Sequence, residues 1–116
     1  MLKIKTFECN AISENCYIVS DETQECMIVD CGAHGPFEQE AISQYIENNK
    51  LTPTLHVLTH GHFDHVMGCR FIYATYGLQP VLCERDAEMY KGAKKQAADF
   101  GLNFEGDMPA LGRCVN

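Results

Sequence analysis

The sequence predicts an α/β (α+β) chain in which a mixed β-sheet is covered by helices. Three observations predict it. Short apolar segments bounded by polar or turn-forming residues recur at 2–7, 15–19, 26–29, 54–59 and 80–83, with the alternation or the brief continuous apolarity of strands. Stretches with apolar residues at helical spacing lie at 36–49, 67–76 and 84–98. Their order is β-β-β-α-β-α-β-α, so from the third strand onward helices connect strands. Helices then have to pack on a face of the sheet those strands form.

Each element has a local reason. Leu2, Ile4 and Thr6 alternate with Lys3, Lys5 and Phe7, as in a half-buried strand. Asn15-Cys16-Tyr17-Ile18-Val19 is a second strand and Cys26-Met27-Ile28-Val29 a third, with the polar run 20–25 between them as a hairpin turn. Asp30-Cys31-Gly32 ends that third strand. An aspartate there would cost several kcal/mol if buried unpaired, so it is either a turn or cap residue or has a polar partner. Pro36 suits a first helical position. Phe37, Ala41, Ile42, Tyr45 and Ile46 form the apolar stripe of a helix over 36–49, and this stripe is read as core. Thr52-Pro53 leads into strand 54–59, where Leu55-His56-Val57-Leu58 reads as buried and His56 as structural. Phe71, Ile72, Tyr73 and Tyr76 place a helix over 67–76, stopped by Gly77. Pro80-Val81-Leu82-Cys83 reads as a short strand. Glu84-Arg85-Asp86 opens a last helix to about Ala98, with acids first and Lys91, Lys94 and Lys95 later, as the helix dipole favours.

The densest chemistry lies between strand 54–59 and the helix after it. Thr59-His60-Gly61-His62-Phe63-Asp64-His65 holds three of the five histidines and an aspartate. Neutral imidazole and carboxylate oxygen are both zinc ligands, and in open α/β sheets ligands gather where strands end and loops begin. Gly61 lets the backbone turn so that His60 and His62 converge on one ion. Asp64 and His65 point elsewhere, towards a second, adjacent position. Such paired metals, about 3.5–4 Å apart, are a standard hydrolytic arrangement.

His60-Gly61-His62-Phe63-Asp64-His65 reads H-x-H-x-D-H and resembles the signature of the metallo-β-lactamase superfamily. The Thr59 to His65 form is most similar to glyoxalase II and related small thioester hydrolases. The early strands, the strand ending at Asp30, the helix and the motif strand agree with it, so that the resemblance spans roughly residues 2–100. It implies half of a four-layer αββα sandwich, with 1–101 as a truncated, amino-terminal domain; residues 102–116, with Gly106, Pro109 and Gly112 and no periodicity, read as loop or frayed tail. It implies up to two zinc ions held by His60, His62, Asp64 and His65, although such mixed ligands also suit iron or manganese. By the same resemblance Asp64 has the catalytic role of ligating the second metal and orienting the attacking water, and Asp30 stands behind the ligands and orients them. The family completes its site with a further histidine, a bridging aspartate and a last histidine from a second half of the domain. No histidine follows His65 here.

Composition narrows the function classes. The 116 residues make one domain at most. Nine basic against sixteen acidic residues give −7, which argues against nucleic acid or an anionic membrane surface as partner. No apolar run reaches the length of a membrane span, and Met1-Leu2-Lys3-Ile4-Lys5 lacks the apolar core of a signal peptide, so a cytoplasmic location is expected. The seven scattered cysteines contain no C-x-x-C pair and read as small buried hydrophobes of a reducing compartment. Two functions are carried forward. One is a metal-dependent hydrolase, acting on a small thioester through a metal-activated water. The other is a non-catalytic half-domain or interaction module with an incomplete metal site. Half a sandwich leaves one sheet face exposed, so a homo-oligomer that buries this face is expected.

Overall fold

The computed structural model describes residues 2–10, 14–33, 35–59, 63–82, 86–99 and 109–112; the side chains of Phe63 and Asp64 fall outside that description, as do His60, Gly61 and His62. Three strands run in sequence, β1 (Lys3–Cys9), β2 (Glu14–Ser20) and β3 (Glu25–Val29), each antiparallel to the next. The β2–β3 turn is made by Asp21, whose Oδ1 accepts from the Thr23 backbone N–H at 3.0 Å and its hydroxyl at 2.6 Å. Helix α1 (Pro36–Asn48) then carries the chain back to β4 (Thr52–Val57), which pairs parallel with β3 and completes the order β1-β2-β3-β4. Strand β4 starts earlier than the sequence predicts and ends at Val57, which leaves Thr59 outside the ladder with its polar groups free to turn towards Asp30.

Alternation sorts the two faces of the sheet. Glu14, Cys16, Ile18 and Ser20 of β2, Cys26 and Ile28 of β3, and His56 of β4 are buried. Ile42 and Ile46 of α1 and Ile72 of α3 (Cys69–Tyr76) pack into the same core. Lys5 lies over the rings of Phe7 and Tyr45 and covers its edge. On the other face the register lines up Ile4, Val19, Met27 and Leu55 in one row and Thr6, Tyr17, Val29 and Val57 in the next. Ile4 is 64% exposed and Leu55 40%. The reading of 55–58 as wholly buried is therefore corrected: His56 and Leu58 point in and Leu55 points out. Phe37 is also corrected, since it is 90% exposed at the start of α1. Ala41 is exposed as well, so that of the stripe Ile42 and Ile46 are buried and Tyr45 packs partly buried against the core.

A second apolar cluster, of Leu58, Val66, Met67, Cys69, Leu82, Tyr90, Ala93 and Ala97, lies beyond the end of β4. The strand expected at 80–83 is one parallel bridge, Val57 to Val81. The Pro80 carbonyl accepts from Gly112 N–H, and Cys83 lies outside the described residues. The last helix is interrupted at Gly92, giving α4 (Ala87–Lys91) and α5 (Ala93–Asp99). A glycine in mid-helix loses most entropy on folding and gives the turn least support. Tyr90 donates its hydroxyl to the Pro109 carbonyl at 2.6 Å, which ties residues 109–112 to this cluster.

Candidate metal centre

The site begins where β3 stops. Asp30 turns the chain with φ +58, a left-handed conformation that aspartate tolerates better than most residues. Its N–H donates to the Val57 carbonyl at 2.7 Å, the last contact between the strand ends of β3 and β4. The turn swings its side chain across the end of β4. There Oδ1 accepts the Thr59 backbone N–H and Oδ2 the Thr59 hydroxyl, both at 2.8 Å. A carboxylate 2% exposed is thus satisfied by the residue that opens the histidine-rich loop.

His65 comes from the short helix α2 (Phe63–Val66). The helix is held against the end of β3 by two backbone bonds that bracket Cys31. Cys31 N–H donates to the His65 carbonyl at 3.0 Å, and Gly68 N–H donates to the Cys31 carbonyl at 2.8 Å. The approach is close enough to need glycine. A Cβ on residue 68 would sit 2.5 Å from Cys31 Sγ and 3.0 Å from its carbonyl oxygen. This bracket puts the imidazole of His65 over two buried carboxylates. Its Nδ1 lies 2.9 Å from Asp30 Oδ2 and 3.5 Å from Glu14 Oε2, ion-pair distances rather than a fully aligned hydrogen bond. One ligand atom from each of Glu14, Asp30 and His65 lies within 4.8 Å of the others.

This geometry fits a metal-binding histidine. Acceptors at Nδ1 favour the tautomer that carries its proton there, and in that tautomer the lone pair is on Nε2. Because both Asp30 oxygens already accept from Thr59, this carboxylate serves better as a base for the ring than as part of a coordination shell. Of the residues the sequence singles out, the structure brings Asp30 and His65 together. The side chain of Asp64, and His60 and His62 altogether, lie outside the described residues. Glu14 is an addition that motif reading misses. The available signal is parity, because Glu14 shares the inward face of β2 with Cys16 and Ile18, where an acid is out of place.

Two further buried groups surround this centre. His56, fully buried in β4, has no well-formed hydrogen bond at either ring nitrogen among the described residues. Burial pushes its pKa from the ordinary 6.5 down to about 4, although the Asp30 carboxylate and backbone oppose this. It stays neutral and structural. Cys9, Cys16, Cys26, Cys31 and Cys69 are buried free thiols, as the sequence predicts; Cys83 and Cys114 lie outside the described residues. Cys16 donates its thiol to the Asp30 carbonyl at 3.4 Å. A hydrogen bond with Cys31 and then burial push the Cys16 pKa far up, so it is an inert filler. No helix among the described residues is long and apolar enough to cross a membrane.

A strand-end aspartate facing a motif histidine gives a definite family to compare with. The model of the metallo-beta-lactamase superfamily matches residues 10–106. The chain belongs to this superfamily. Among its curated relatives is hydroxyacylglutathione hydrolase GloC of Haemophilus influenzae, 29% identical over 110 residues, covering 93% of this chain and 50% of the relative. The probable metallo-hydrolase YqgX of Bacillus subtilis is 31% identical over 106 residues, 90% of this chain and 44% of the relative. A protein solved in a di-iron-bound form matches with a TM-score of 0.83 at 25% identity, covering 97% of this chain and 54% of that one. The BLEG-1 B3 metallo-beta-lactamase matches with a TM-score of 0.75 at 21% identity, over 96% and 53%. The chain spans about half the length of the curated relatives it matches. Its mixed sheet with helices is the fold those superfamily structures share over that half, and the family is one of metal-dependent hydrolases.

Proposed function

We propose that the protein is a zinc-dependent hydrolase of a small thioester, similar in substrate class to glyoxalase II. The observation that carries the metal part is the His65 ring resting on buried carboxylates at the end of the H-x-H-x-D-H loop. His60 and His62 would hold one ion, and Asp64 and His65 a second. A bound metal supplies Lewis acidity, making water a nucleophile near neutral pH and polarising the scissile carbonyl. The chain's own contribution is orientation. Asp30 fixes the start of the loop through Thr59 and the ring of His65 at its end, so both ends of the loop are held before any ion arrives. The choice of a thioester draws on the similarity to GloC, and the di-iron neighbour makes iron the competing metal. The test is release of free thiol from a hydroxyacyl-glutathione thioester by metal-loaded protein. Turnover that disappears in His65→Ala, with the fold retained, is expected. No turnover by fully loaded protein would overturn the enzyme reading. It would favour a non-catalytic metal-binding half-domain.

We also propose that a second copy of the chain covers the open sheet face. The two rows from Ile4 to Leu55 and from Thr6 to Val57 carry no charged side chain. These two rows can meet a second copy without charge repulsion, with the exposed Glu8 and Glu25 of the same face at the margins. Light scattering should give a dimer that Ile4→Lys converts to monomer. A wild-type monomer at high concentration would contradict this.

A further inference from the structure

We infer that Glu14 is a positioning residue for His65, holding the imidazole from the β2 side while Asp30 holds it from β3; this rests on the metal-site reading above. Glu14 opens β2, and its carboxylate has no exposed surface at all. A carboxylate without water costs several kcal/mol unless a charge or donor meets it. One described group that meets it is the Nδ1 of His65, 3.5 Å from Oε2. Asp30 at 2.9 Å contacts the same nitrogen from a different strand. One acceptor leaves an imidazole able to swivel about its Cβ–Cγ bond. Two carboxylates on separate strands restrict that rotation and favour a proton on Nδ1 electrostatically. Two negative charges there also make the opposite nitrogen more basic towards a cation.

Glu14 would then act on the metal only through His65. Its removal should weaken metal binding without unfolding the sheet. A merely structural buried acid would instead alter stability and leave the ring alone. Glu14→Gln keeps the size and one acceptor, and Glu14→Asp keeps the charge but withdraws it.

The experiment has two readouts. Zinc affinity is measured by competition with a chromophoric chelator, for wild type, Glu14→Gln and Glu14→Asp. The His65 tautomer is read in metal-free protein from the nitrogen-15 shifts of its ring. We expect Glu14→Gln to weaken zinc by about 10-fold or more, the scale for groups that orient a ligand, with partial recovery in Glu14→Asp. We expect the Nδ1-protonated form to dominate in wild type and to be lost in part in Glu14→Gln. Equal zinc affinity in wild type and Glu14→Gln would overturn the inference and leave the metal-site reading standing. An unchanged tautomer in folded Glu14→Gln would overturn it as well. No zinc binding by wild type would instead remove the metal-site reading, and the ring shifts would still decide whether Glu14 holds His65.

Discussion

Asp30→Ala should destabilise the protein by about 2–4 kcal/mol, because three separate things are lost at once. The Thr59 N–H and hydroxyl lose their acceptors, each now at 2.8 Å. The Nδ1 of His65 loses its nearer carboxylate. Alanine must also adopt φ +58, at a cost of about 1 kcal/mol or more. Three variants separate these contributions. Asp30→Gly removes the carboxylate and accepts the backbone, so the Ala–Gly difference measures conformation alone. Asp30→Asn accepts the backbone and keeps one acceptor oxygen, so it should be the mildest of the three. Denaturant midpoints give the ranking. An alanine variant within about 0.5 kcal/mol of wild type would mean that the junction of β3, Thr59 and His65 does not depend on this carboxylate.

The second large effect is a dependence on pH. His56 takes up a proton near 6.5 in the unfolded chain but only near 4 when folded. Between those values the unfolded state binds more protons, so stability falls as pH drops from 6.5 towards 4 and is complete above 6.5. The full loss is about 3 kcal/mol for a shift of this size. His56→Leu fills the same interior site without a titrating group. Its stability should exceed that of wild type increasingly as the pH is lowered through this window, with the two profiles parallel above it. Denaturant melts of both proteins at several pH values check this. Parallel profiles throughout would show that His56 is not the acid-sensitive group.

Much of this was legible in the chain because local signals agreed with tertiary ones. The apolar strand before the motif and the aspartate closing β3 each had a chemical reason to stand where they do. Pro36 and Gly77 marked the ends of helices, and Gly77 adopts the left-handed cap that its residue type permits. The failures have physical causes as well. Phe37 fits the helical stripe, but nothing in the periodicity says which turns of α1 meet the core, and Phe37 is exposed. The segment 80–83 is apolar enough for a strand, yet apolarity does not say how far it pairs, and among the described residues only Val81 bridges to β4. Glu14 lies fifty-one residues from His65 in the sequence. Only the β1–β2–β3 register and the Cys31 bracket bring the two together, and neither is a local property.

The central claim is that His65, set on Glu14 and Asp30, belongs to a working metal site. The most direct measurement is metal content per chain by elemental analysis, after zinc reconstitution and desalting, for wild type and folded His65→Ala. The account predicts at least one tightly held ion per wild-type chain and a clear loss in the variant. Wild type and variant with equal content, or wild type well below one ion per chain, would contradict it.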